Sequence, residues 1–84
     1  MEFKQNLQSF FEENFMVEFA QDFSNEDSFL ENGIIDSTGV LELIMFLEET
    51  YKIKVEDNEV TPDNLDSFIS LNNFIKLKLN HQEN

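Results

Sequence analysis

Apolar residues return every three or four positions in three separate stretches of this chain, a spacing that admits little but a bundle of packed helices. From Met1 to about Phe15, the residues Phe3, Leu7, Phe10, Phe11 and Phe15 form one such stripe, with Glu, Gln and Lys between them. A second helix opens at Asp36 or Ser37 and runs to about Tyr51. At about 100° per residue, Val40, Leu43, Ile44, Leu47 and Tyr51 fall within about 60° of one line, its core face. Asp66 or Ser67 then caps a last helix whose stripe is Phe68, Leu71, Phe74 or Ile75, and Leu79. No strand pattern is strong enough to propose a sheet.

The connections differ in kind. Met16 to Asp36 gathers turn-forming residues, among them Asp22, Asn25, Asn32 and Gly33, punctuated by Phe19, Phe23, Phe29, Ile34 and Ile35. This reads as a long loop pinned to the core by its own aromatics, with a short helical turn near Ser28 to Glu31. Lys52 to Val55 alternates like an extended link, and Pro62 stands at the first position of a single turn over Thr61 to Leu65. The expected fold is all-α: a four-helix bundle with three main helices, one short helix and a long first loop. One domain spans 1–80, and a frayed tail occupies 81–84.

Charge and composition narrow the function. Eighty-four residues support one modest core but not a deep catalytic cavity besides. Eighteen acidic residues face five lysines and no arginine, for a net charge of -13. Such a surface repels nucleic acid and anionic membranes and suits basic protein partners. Ten phenylalanines supply enough apolar surface to drive collapse despite the repulsion. The absence of cysteine removes disulfides, thiolate metal sites and a cysteine nucleophile, and the lone His81 sits in a polar tail. The acidic loops lack the glycine and terminal glutamate of a calcium-binding EF-hand at the required offsets, so no metal site is expected. Without an apolar leader or membrane-length stretch, the expected protein is cytoplasmic, monomeric and not stably inserted in a membrane.

The most informative segment is Gly33-Ile34-Ile35-Asp36-Ser37-Thr38-Gly39-Val40-Leu41-Glu42-Leu43. Ser37 stands at the solvent-facing start of the second helix, after two apolar anchors, where an enzyme can reach it. Leu41 and Met45, four residues apart, stack one turn above the other on the outward side with Thr38, Glu42 and Glu49. Two outward apolar residues rimmed by carboxylates form a transient docking surface for a basic partner, to which Glu48 is a weaker candidate. Phe46 lies at the flank. The Asp-Ser pair by itself says little, because it also occurs at Asp27-Ser28 and Asp66-Ser67, where helix capping is the expected role.

Asp36-Ser37 followed by an acidic helix, with Glu42-Leu43 and Leu47-Glu48-Glu49, resembles the attachment region of acyl carrier proteins, and the helix spacing on both sides is similar to theirs over nearly the whole chain. The resemblance implies that Ser37 receives 4′-phosphopantetheine from coenzyme A through a separate magnesium-dependent phosphopantetheinyl transferase. Asp36 would assist that step and help orient the arm. Acyl groups would then travel as thioesters on the arm's thiol, which frees the chain from needing a catalytic base of its own. The implied partners are the transferase, a loading ligase, and acyltransferases or synthases with basic docking patches. Fatty-acid carriers have Leu after the attachment serine, whereas this chain has Thr38-Gly39, which favours a specialised carrier for a lipid, polysaccharide or secondary metabolite over the housekeeping type. An aminoacyl carrier of the D-alanyl or peptidyl kind is the alternative within the family. An unmodified acidic interaction module is the alternative outside it. The phenylalanines belong to the core and could border a cavity that shelters an acyl chain.

Overall fold

The computed structural model describes residues 1–82, with side chains described to residue 80. These residues form four α-helices and no strand: α1 (Lys4–Phe15), α2 (Ser37–Tyr51), α3 (Pro62–Leu65) and α4 (Phe68–Gln82), with a 3₁₀ turn at Asp57–Glu59 before α3. Three helices are long and one is a single turn. The expected tail at 81–84 divides: α4 takes in His81 and Gln82, and Glu83 and Asn84 lie outside the described residues.

Helix α1 begins at Lys4 rather than Met1, and the Phe3 N–H at its cap donates to a distant acceptor, the Asn72 side-chain oxygen on α4, at 3.0 Å. That bond satisfies a donor the helix leaves free and fixes α1 across α4. Both α1 and α2 close on a left-handed residue, Met16 (φ 54°) and Lys52 (φ 57°). The link after α2 alternates as expected, with Ile53 and Val55 buried and Lys52 and Lys54 exposed. The turn at Asp57–Glu59 carries its own capping box, the Glu56 and Glu59 side chains each accepting from the other's backbone N–H.

Phenylalanine fills the space between α1, the long loop and α4. The ring of Phe11 lies 4.6 Å from that of Phe29, 6.1 Å from Phe19 and 6.2 Å from Phe68, and Phe29 meets Phe68 edge-on at 5.0 Å. Two of these rings come from the loop, so its aromatics do pin it to the core. From α2, Leu43 and Leu47 are buried, while Val40, Ile44 and Tyr51 pack half-buried around them.

The loop is also fastened by hydrogen bonds. Ser28 Oγ accepts from the Glu31 N–H at 3.0 Å and so caps a single helical turn. The turn ends in a Schellman arrangement: Ile34 N–H donates to Phe29 O (2.8 Å) and Gly33 N–H to Leu30 O (3.2 Å), with Gly33 at φ +70°, where a side chain would be strained. Asp66, at the corner between α3 and α4, grips this turn from below. Its carboxylate accepts from the Ser28 hydroxyl and from the Leu30 N–H (3.0 Å), and its carbonyl accepts from the Phe29 N–H (3.0 Å). The segment leading into α2 is therefore held in place from the far side of the sequence.

Candidate functional site

The three Asp-Ser pairs separate by which residue does the capping. Ser28 caps its own turn, and Ser67 caps α4 by accepting from the Ser70 N–H at 3.1 Å. At the middle pair the aspartate takes that role: Asp36 has extended backbone, and its Oδ1 accepts from the Gly39 N–H at 2.7 Å. Ser37 is thereby the first residue of α2, exposed, and its hydroxyl makes no hydrogen bond among the described residues. It is the one serine of the three pairs whose oxygen is not used by the fold.

One wall beside Ser37 is apolar. Phe15 at the end of α1, and Val17, Ile34 and Ile35 from the loop, line a groove of about 500 Å³ that Asp36 and Ser37 border. Gly39 lets these parts close up. It is buried, and a Cβ on it would stand 2.6 Å from Cγ1 of Ile35 and 3.2 Å from the Phe15 ring. Glycine is a poor helix residue by about 1 kcal/mol, so the close approach beneath the helix start is what its presence provides. Gly39→Ala is expected to lose about 1–2 kcal/mol net, overpacking outweighing the gain in helix propensity. A lowered urea midpoint checks this, and a raised one would mean that Ile35 turns aside freely.

On the outward side of α2, Thr38, Leu41, Glu42, Met45 and Glu49 are all exposed, Leu41 to 63% and Met45 to 59%. The structure divides this expected face. Glu42, Met45 and Glu49 turn toward α1 and share a groove with Phe10, Glu13 and Asn14, whereas Thr38 and Leu41 do not line it. Phe46, at the flank, stacks on Phe10 with ring centres 4.2 Å apart. Glu48 has a structural task, accepting from the Val55 N–H at 3.0 Å and so tying the link back onto α2. The Tyr51 hydroxyl is buried without a hydrogen-bond partner within normal geometry among the described residues. Burial pushes its pKa above the usual tyrosine value, with the Asn6 side chain opposing in smaller part.

Phenylalanines border open grooves at the surface, Phe15 beside Ser37 and Phe10 with Phe46 between α1 and α2. A smaller and more apolar cleft, about 110 Å³, lies between the loop, α2 and α3, lined by Leu30, Ile35, Val40, Leu43, Val60 and Leu65 among others. It is small beside the roughly 300–1,000 Å³ of ordinary ligand pockets. No group of three or more acidic or histidine side chains is placed to hold a metal ion among the described residues, and no described helix is long and apolar enough to cross a membrane. Comparison with protein-family models, with characterised proteins and with solved structures finds no match to this chain.

Proposed function

We propose that this chain is an acyl carrier, with Ser37 as the attachment point for a 4′-phosphopantetheine arm. The observation that carries the reading is the division of labour at the second Asp-Ser pair: Asp36 caps the helix and leaves the Ser37 hydroxyl exposed and unengaged at its start. A hydroxyl so placed fits attachment of a phosphate ester by a separate transferase. Asp36 holds the first turn and so holds the serine, while Ile34 and Ile35 anchor the preceding backbone against the core. The arm supplies a thiol for thioester chemistry, and the chain supplies an anchor and a surface on which partner enzymes dock.

That surface is the exposed side of α2. Leu41 gives a small apolar contact, and the carboxylates of Glu42 and Glu49 steer a basic partner without committing either protein to a permanent complex. Thr38 borders the attachment point.

Incubation with coenzyme A, magnesium and a broad-specificity phosphopantetheinyl transferase, followed by intact-mass measurement, tests the proposal. One phosphopantetheine group should be gained. No gain would leave an unmodified acidic interaction module as the reading. Leu41→Ala and Glu42→Lys are each expected to slow transfer to partner enzymes, by about tenfold for the charge reversal, with stability unchanged within about 0.5 kcal/mol. A large loss of helicity in either variant would place these exposed residues in the fold rather than in docking.

A further inference from the structure

The groove between α1 and α2 narrows the chemistry of the basic partner further than the outer face of α2 does. It measures about 560 Å³, and Phe10, Met45 and Phe46 line it together with the carboxylate-bearing Glu13, Glu42 and Glu49. The three glutamates form no salt bridge among the described residues, and no lysine lines the groove. Lys76 is paired with Glu2, Lys78 with Glu59, and Lys4 stands over the Phe68 ring. A chain with a net charge of -13 thus keeps three carboxylates beside an aromatic and thioether surface without a cation of its own lining it.

This combination discriminates among cations. A small divalent ion needs several oxygens converging on one point, and no such group occurs among the described residues. An arginine or lysine side chain needs something different, an apolar surface for its stem and carboxylates for its head. The flat guanidinium also stacks on aromatic rings and is less strongly hydrated than an ammonium. We infer that the α1–α2 groove receives an arginine side chain of a partner protein, laid over Met45 and Phe46 and met by Glu13 and Glu49. The docking face of the proposed carrier then extends across α1, although the groove itself does not depend on modification of Ser37.

The test uses the unmodified full chain, labelled with ¹⁵N, titrated with the peptide acetyl-Leu-Arg-Leu-Leu-Arg-amide and with the same peptide carrying citrulline, uncharged but nearly the same shape, at both arginines. Saturable shifts are expected at amides on both walls, around Phe10 and Glu13 and around Met45 and Glu49. Binding should weaken about tenfold or more with citrulline, and by a similar factor in the Glu13→Gln, Glu49→Gln double variant, whose two substituted side chains are exposed in the parent. Equal affinity for the citrulline peptide would overturn the inference in favour of a plain apolar patch. Shifts confined to the outer face around Leu41, or no saturation up to about 5 mM peptide, would overturn it as well. Because no arm is present, a failure here leaves the Ser37 reading untouched, and failure of Ser37 to accept the arm leaves this groove untouched.

Discussion

Ser37→Ala should fold like the parent and accept no phosphopantetheine. The helix cap belongs to Asp36, and the lost hydroxyl has no partner among the described residues, so stability is expected to stay within about 0.5 kcal/mol of the parent. Alanine is, if anything, the better helix former. The contrast with the other two serines makes the experiment specific. Ser28→Ala and Ser67→Ala each remove an oxygen that accepts from a helix-start N–H, at a cost of about 1 kcal/mol, yet both should still be modified. Urea denaturation and intact mass on the three variants give opposite orders: stability falls at 28 and 67, and loading disappears at 37. Modification that persists in Ser37→Ala would remove the attachment site from this position altogether.

Phe11→Ala should be the most damaging single change in stability. The residue is fully buried, and its ring touches aromatics from α1, the loop and α4 at once, so no one neighbour can move in to fill the hole. A loss of about 3–5 kcal/mol is expected. Small domains hold only about 5–15 kcal/mol in total, and the self-repulsion of this charge places the parent toward the lower end. The variant should therefore be substantially unfolded at low ionic strength and partly recovered by salt, which screens the repulsion. Met45→Ala, exposed to 59%, is the control and should change stability by less than about 0.5 kcal/mol. A melting temperature for Phe11→Ala within a few degrees of the parent's would mean that the rings repack, and the core would have to be described as adaptable rather than interlocked.

The two faces of α2 were legible in the sequence because a helix converts spacing into direction without help from the rest of the fold. Leu43 and Leu47 are buried and Leu41 and Met45 exposed, as the angular arithmetic requires. The loop's attachment through Phe19 and Phe29 was legible from composition alone, since apolar rings in a turn-rich segment have to go somewhere. Partners that depend on distant segments were not legible. Nothing local marks Asp66 as the acceptor for Ser28 and Leu30, which precede it by more than thirty residues. The burial of Gly39 likewise depends on where Ile35 and Phe15 arrive. The groove between α1 and α2 escaped for the same reason: each wall reads as an ordinary acidic helix surface until the two are brought together. The start of α1 lies three residues later than the spacing suggested, and the bond from the Phe3 N–H to Asn72, 69 residues away, had no local signal either.

The grip of Asp66 also sets an order of events during synthesis. The turn over residues 28–33 and the entry into α2 depend on an acceptor more than thirty residues downstream, and α1 is fixed through Asn72, later still. Helices α1 and α2 can flicker into being on their own, since their bonds are local. The arrangement that holds Ser37 in place has to wait until residues 66 and 72 have been made and have left the ribosome. An enzyme that reads the docked first turn of α2 rather than the bare dipeptide would on that account find its substrate only in chains already folded through Asn72, so that modification would itself certify the fold.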